Sequence, residues 1–351
     1  MEKMIFIMAL AWIPLTANAQ SSITLYGVIT DGVRWVNNTE GGSTVNSTLT
    51  RTLDRFGISG TEYLGDGVTA IFRLENQFNV SNGAVRGNLL FYGAAYAGLD
   101  SNKYGYLTFG RQLSAFEDLA ISLDPDSVSG GDAAIAPDAL TAANVFTGDT
   151  RFNSVVKYVY AFDGTKVDAS YSLGGVAGNQ RAGSNYAVQL SGIGGPLFGG
   201  IGYQRTYNAD ATQMAQNFQA GATLQLGQAR LYLNYLELLI SGSPAAPAER
   251  RDNIPQGGLM YQITPSFSLT TAFYYDIAHN LGNVAGAGGH KTTAYLIGDY
   301  FLSRRTEVYV EVDRNGFSGA YKTEPVNVAV FNLNPGSRST VGASVGLVTH
   351  F

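Results

Sequence analysis

Thr69-Ala70-Ile71-Phe72-Arg73-Leu74-Glu75-Asn76-Gln77 carries Ala70, Phe72 and Leu74 on one parity and Thr69, Arg73, Glu75 and Gln77 on the other. Successive side chains of a strand point to opposite faces, so period-two alternation of this kind reads as a strand with one apolar and one charged face. Thr306 to Asp313 repeats it, with Val308, Val310 and Val312 against Glu307, Tyr309, Glu311 and Asp313. So do Val167 to Leu173, where Asp168, Ser170 and Ser172 form the polar set, and Phe267 to Asp276, where Phe267, Leu269, Phe273 and Tyr275 oppose Ser268, Thr270, Tyr274 and Asp276.

Composition says where such strands could live. Charged residues are 14% of the chain, against roughly 25% in average soluble domains, and its 43 glycines are well above the usual ~7%. Yet mean hydropathy is only +0.01, and after Ala19 no stretch approaches the ~18 apolar residues of a spanning helix. A transmembrane barrel reconciles these values, because lipid-facing apolar residues alternate with lumen-facing polar ones. Lys3, the apolar run Ile5 to Leu15 and Ala17-Asn18-Ala19 read as a cleaved export signal over residues 1–19, leaving residues 20–351 as one barrel domain. With no cysteine, neither disulfides nor thiolate metal sites hold the chain together. The formal charge of -5 argues against nucleic acid as a partner.

Turn signals fix the strand count. Short ones fall at Leu64-Gly65-Asp66-Gly67, Ser101-Asn102-Lys103, Phe162-Asp163-Gly164, Gly194-Gly195-Pro196, Gly227-Gln228, Thr264-Pro265-Ser266 and Leu302-Ser303. Longer polar stretches alternate with them: Asn37 to Ser47, Ser81 to Arg86, Leu113 to Asp149, Val176 to Ala182, Asn208 to Gln216, Ser241 to Ile254, His279 to Lys291 and Gly316 to Ser337. Short periplasmic turns alternating with longer outer loops predict a sixteen-stranded antiparallel barrel, all-β, with both chain ends on one side. In the last strand Val341, Ala343, Val345, Leu347, Thr349 and Phe351 share a parity, and the terminal Phe351 reads as an outer-membrane insertion signal.

Several short motifs stand in order along the chain: Ser22-Ile23-Thr24-Leu25-Tyr26-Gly27, Arg55-Phe56-Gly57-Ile58-Ser59-Gly60, Ala70-Ile71-Phe72-Arg73-Leu74-Glu75, Tyr96-Ala97-Gly98-Leu99, Leu107-Thr108-Phe109-Gly110-Arg111-Gln112 and Leu302-Ser303-Arg304-Arg305-Thr306, followed by Val345-Gly346-Leu347 and the terminal Phe351. Together they resemble the trimeric general porins of Gram-negative bacteria, of the Neisseria, Bordetella and Comamonas type. The resemblance implies a homotrimer in the bacterial outer membrane, in contact with its lipid and lipopolysaccharide. It also implies that each barrel is narrowed by an infolded third loop and passes small hydrophilic solutes and ions, without a cofactor.

That loop falls on Leu113 to Asp149, which carries Glu117, Asp118, Asp124, Asp126 and Asp132 and has no Lys or Arg between Arg111 and Arg151. These acids are expected to form one side of the constriction. The resemblance places Arg55 and Arg151 on the opposing barrel wall, and parity adds Arg73. Parity also turns the acids Glu75, Glu307, Glu311 and Asp313 toward the lumen. One departure is visible: where relatives often carry a further wall arginine, this chain has Gly93 and Ala94. The anion preference of some relatives is therefore not part of the expectation. Opposed charges across a narrow wet passage order water and favour polar solutes over apolar ones.

Other functions have weaker footing. A hydrolase needs a base beside a nucleophile, and His279, His290 and His350 accompany no Gly-x-Ser-x-Gly or His-Glu-x-x-His motif. An adhesin or receptor barrel would call for a plug, which nothing here resembles. A substrate-specific channel is the nearer alternative, but lumen tyrosines such as Tyr274 and Tyr309 form no continuous row.

Overall fold

Hydrocarbon offers no water to backbone N–H and C=O groups, so a sheet that crosses it must close on itself. The computed structural model, which describes residues 21–47, 52–127, 135, 145–146 and 148–351, does so in one antiparallel sheet. The strands are β1 (Ser21–Thr39), β2 (Gly42–Ser47), β3 (Arg55–Gly65), β4 (Val68–Gln77), β5 (Ala94–Ser101), β6 (Gly105–Leu113), β7 (Arg151–Phe162), β8 (Thr165–Ser172) and β9 (Asn185–Gly194). They continue with β10 (Leu197–Tyr207), β11 (Met214–Leu226), β12 (Ala229–Ile240), β13 (Arg250–Thr264), β14 (Phe267–His279), β15 (Gly289–Phe301), β16 (Thr306–Phe317) and β17 (Ser339–His350). From β3 onward each pairs with its successor, and β1 pairs with both β2 and β3. The seam closes where β17 pairs with β1, from Val28↔His350 to Val36↔Gly342.

Seventeen segments make sixteen staves. β3 pairs with the first part of β1, from Ser21↔Glu62 to Val28↔Arg55, and β2 pairs with its later part, from Val33↔Ser47 to Thr39↔Gly42. Together β2 and β3 occupy one strand's place in the barrel. The sequence assigned Asn37 to Ser47 to a long outer loop. It is instead a tight hairpin turning at Glu40 and Gly41, and Gly41, at φ +81°, supplies the left-handed backbone the turn needs. Where the ladder is interrupted, the Asp54 carboxylate accepts from the backbone N–H of Thr30 (2.7 Å) and of Val80 (2.8 Å). All seven short turns appear where their residues predicted. The export-signal residues 1–19 lie outside the described residues.

Exposure is inverted relative to a soluble protein. Along β16, Val310 and Val312 are 58% and 48% exposed while Glu311 and Asp313 are 0% and 1%. β8 and β14 follow the same rule, burying Asp168, Ser170 and Ser172, and Ser268, Thr270 and Asp276, while Leu173 and Phe273 face outward. Such a wall is apolar toward lipid and polar toward its own interior. Tyr104, Phe162, Tyr261 and Tyr300, exposed near the short turns, supply aromatic residues at one edge of the apolar band. At the seam Phe351 exchanges two backbone hydrogen bonds with Gly27, each 3.1 Å. Its ring covers that glycine so closely that a Cβ there would lie 2.2 Å from the ring.

The last loop folds over the mouth. It carries a 3-10 turn (Gly319–Lys322) and α2 (Pro325–Val330), anchored by the Tyr321 hydroxyl donating to Asp276 (2.7 Å). Glu40 N–H donates to Asn332 (2.8 Å) and Asn334 N–H to Asn38 (2.9 Å), which ties this loop to the first hairpin. In the sequence, α1 (Ala115–Ser122) and this short helix were both hidden inside stretches read as loop.

Candidate functional site: the narrowed lumen

The third loop enters the barrel through a capped helix. Ser114 is the N-cap of α1: its Oγ accepts from Glu117 N–H (3.3 Å), and Glu117 and Asp118 sit in the first turn, where acids suit the helix N-terminus. Two further bonds pin the helix start to the wall. Ser114 Oγ donates to Gln204 Oε1 (2.5 Å) and the Ser170 hydroxyl accepts from Ala115 N–H (2.9 Å).

Glycines on the inner wall make room for the loop. A Cβ at Gly200 would lie 2.5 Å from Leu119, one at Gly202 3.3 Å from Phe116, one at Gly221 3.0 Å from Leu123, and one at Gly258 2.3 Å from Pro125. These four positions trace the loop across β10, β11 and β13. At the far end the Tyr274 hydroxyl donates to Asp124 Oδ2 (2.5 Å) and lies 3.2 Å from the Tyr295 hydroxyl. Phe116, Ala120, Leu236, Ile254, Tyr274 and Ile297 then form an apolar cluster inside the barrel. The loop covers the wall from β8 to β15, and what stays open lies along the earlier strands.

This path decides the fate of the loop acids. Glu117, Asp124 and Asp126 are 1%, 2% and 7% exposed. Asp124 also accepts from Asp126 N–H (3.0 Å), so its two oxygens serve the loop and the wall. Asp118 pairs with Lys157, whose ammonium also donates to Leu113 carbonyl (3.3 Å) and lies 3.8 Å from Asp168. Asp132 lies outside the described residues. Glu311 and Asp313 pair with Arg34 of β1 at 3.2 and 2.7 Å, while Glu307, on the same parity, is half-buried.

The open side is lined with cations. Arg73, Glu75, Tyr96, Tyr106, Arg151 and Lys157 are among the residues around a cavity of about 220 Å³ beside the loop helix, together with Gly93 and Ala94. Arg73 holds Glu75 at 2.5 Å and donates through Nε to the Tyr26 hydroxyl (2.6 Å), yet its side chain is 41% exposed. Tyr26 reaches this spot across Gly57, where a Cβ would meet its hydroxyl at 2.5 Å. Arg151 donates to Gly93 carbonyl (2.8 Å) and to Thr150 (3.1 Å) and lies 4.0 Å from Asp149, while the space that Gly93 leaves is taken by Glu75, 2.4 Å from where a Cβ would stand. Arg55 donates to Thr52 (3.3 Å) and, among the described residues, forms no ion pair. Arg111 is bound up with Asp149, Asn153 (2.8 Å) and Tyr92 carbonyl (2.8 Å), bracing the second and third loops.

Arg34 and Lys157 were missed as site residues, because their same-parity neighbours, Gly32 and Val36 for Arg34 and Val155 and Val159 for Lys157, give no polar alternation to follow. Phe152 departs from expectation. Even parity in β7 would put it on the lipid side with Val156 and Tyr158, but it is buried, because Ser154 at φ +52° and a register shift opposite Gly110 and Gln112 interrupt the alternation at the start of the strand.

Comparison with known proteins agrees with this architecture. A family model described as Gram-negative porin matches residues 7–320. An outer membrane porin protein of Bordetella pertussis (strain Tohama I) is 32% identical over 174 residues, which is 45% of this chain and 44% of that protein. The aligned part thus spans under half the length of that relative. Among solved structures, the anion-selective porin from Comamonas acidovorans superposes with a TM-score of 0.80 at 20% identity, over 95% of this chain and 100% of that one. A trimer form of OmpT, an outer membrane protein of Vibrio cholerae, gives 0.69 at 15% identity, over 94% and 99%. A sixteen-stave barrel with an apolar outer wall, a polar lumen and a family match over most of its length leads to one conclusion: the chain belongs to the Gram-negative porin family.

Proposed function

We propose that this chain is a passive diffusion channel of the bacterial outer membrane, exported by residues 1–19 and passing small hydrophilic solutes and ions. The observation that carries the reading is the distribution of lumen charge. The third loop lies against β8 to β15 with Glu117, Asp124 and Asp126 turned into the packing, while Arg73 and Arg151 line what is left and Arg55 stands at the lumen parity of the neighbouring β3. Arg55, Arg73 and Arg151 form the basic side of the constriction, tempered by Glu75. The loop acids act chiefly by holding the loop down. Because the water-facing cations outweigh the water-facing acids here, the channel favours anions, as does the anion-selective porin from Comamonas acidovorans. No chemical step is needed; selection rests on width and on the field across the passage.

A homotrimer is part of the proposal. It is supported by the trimer form of the Vibrio neighbour and by small outward-facing residues on an early stave, Ala95 and Ala97 of β5, where a second copy could approach closely. Planar-bilayer recording under a salt gradient tests the channel reading. Stepwise ohmic currents with a reversal potential on the anion side are expected; folded protein that never conducts would refute it.

A further inference from the structure

Arg205 points out of the barrel, not into it. On β10 its neighbours Gln204 and Thr206 are buried in the interior at 0% and 1% exposure, whereas Ile201, on the parity of Arg205, is 59% exposed. It stands two residues before the strand ends in an outer loop, and its register partners are Tyr186 and Gln216. A charged side chain on the lipid face is costly unless it reaches the headgroup layer, where its cost falls close to zero.

The guanidinium is held in a built setting. Nε donates to the Tyr203 hydroxyl (3.0 Å), Nη2 to Gln216 Oε1 (2.7 Å) and Nη1 to the Tyr207 hydroxyl at 3.5 Å, and Cζ sits 5.7 Å from the Tyr186 ring centroid. Among the described residues it forms no ion pair. Phenols and one amide fix its orientation without neutralising it, and the remaining N–H groups of Nη1 and Nη2 stay open to an anion. Immediately toward the membrane interior lies a groove of about 400 Å³ lined by Val188, Leu190, Ile201, Phe218 and Tyr235, with Tyr203 shared between groove and cation. Toward the same end the outer wall also carries Arg251, His279 and Arg314 at outward positions of β13, β14 and β16, with Glu237 of β12 beside Arg251, while Asp31 is an outward acid of β1.

A cation framed by aromatic hydroxyls above an apolar groove fits one class of occupant. We propose that Arg205 binds the sugar-borne phosphate of a phosphorylated glycolipid of the outer leaflet, with an acyl chain in the Val188–Ile201–Phe218 groove. Bidentate guanidinium–phosphate bonding supplies the charge recognition, and Tyr186, Tyr203 and Tyr207 offer the flat faces and hydroxyls that suit a sugar.

The proposal rests on the outer-membrane reading above, and channel conductance of each variant reports on that reading separately. The test is native mass spectrometry of the folded mature chain in neutral detergent, titrated with diphosphoryl lipid A, its dephosphorylated form and phosphatidylglycerol. For the unaltered chain, dephosphorylation is expected to weaken binding about tenfold, the usual reach of a charge-assisted pair of hydrogen bonds. Arg205→Gln should give a similar loss for the phosphorylated lipid, and Ile201→Trp, which fills the groove, should weaken both lipid A forms. Arg251→Gln should leave binding within about twofold, as suits a cation already shared with Glu237. Equal binding of phosphorylated and dephosphorylated lipid, or of phosphatidylglycerol and lipid A, overturns the assignment, as does an Arg205→Gln barrel that binds like the parent.

Discussion

Replacing Arg73 with glutamine removes a wall cation whose side chain is 41% exposed and leaves the buried Glu75 carboxylate with Tyr26 and the more distant Arg55. An ion passing about 5 Å from the guanidinium in water-like dielectric feels about 0.8 kcal/mol, which screening over a Debye length near 8 Å reduces to about 0.4 kcal/mol. That energy is a factor of about two in the local concentration of an anion and the inverse for a cation, so the anion-to-cation permeability ratio should fall roughly fourfold. Reversal potentials of the parent and Arg73→Gln channels, measured across a salt gradient near 0.15 M and again near 1 M, give the assay. At the higher salt the Debye length is about 3 Å, the energy falls to about 0.16 kcal/mol and the ratio should change by less than about twofold. A ratio that does not move at low salt would show that Arg73 does not face the ion path. A change of equal size at both salts would show that the loop or barrel had rearranged and that charge was not the cause.

Four further variants probe the loop anchor, the inner-wall glycines and the seam. Tyr274→Phe takes the wall donor from Asp124 and should loosen the third loop at a cost of about 1–3 kcal/mol, seen as noisier open-channel current with ion preference retained. Asp124→Asn should therefore resemble Tyr274→Phe more than it resembles loss of a selectivity charge; a pure change of selectivity without added noise would contradict the anchoring role. Gly202→Leu drives a side chain into Leu119 and Phe116, an overpacking worth about 1–3 kcal/mol, and should alter single-channel conductance while the barrel still resists unfolding in heat-modifiable gel mobility. Gly27→Leu expels the Phe351 ring from the seam and should lower the yield of folded barrel in the same gel assay, with an unchanged yield arguing that the seam tolerates its loss.

The barrel was legible because its determinant is local. Whether Val310 faces lipid and Glu311 faces the lumen depends only on parity within β16, and turn residues such as Asp163-Gly164 and Gly195-Pro196 announce each reversal. The site was legible only in part, because its determinant is the path of one long loop across a distant wall. Nothing near Asp124 in sequence says that Tyr274, far along the chain, will donate to it, so an acid that looks like a selectivity charge can be a loop anchor. The inner-wall glycines were the available signal: Gly200, Gly202, Gly221 and Gly258 sit at interior parity, where a missing side chain leaves space for something to lie. Arg34 escaped for a different reason, since its partners Glu311 and Asp313 lie almost the whole chain away and meet it only when the barrel closes. The hairpin at Glu40 and Gly41 was hidden by polar residues that read equally well as loop.

The absence of native cysteine allows the most direct test of the inside-out wall. Single cysteines placed in turn at Phe56, Ile58, Ser59 and Thr61 of β3 would be exposed to a charged, membrane-impermeant thiol reagent while current through the folded channel is recorded. Ser59→Cys and Thr61→Cys should lose conductance as the reagent enters the lumen, whereas Phe56→Cys and Ile58→Cys, buried in lipid, should be silent; block at the lipid-facing pair, or at all four alike, would contradict the account.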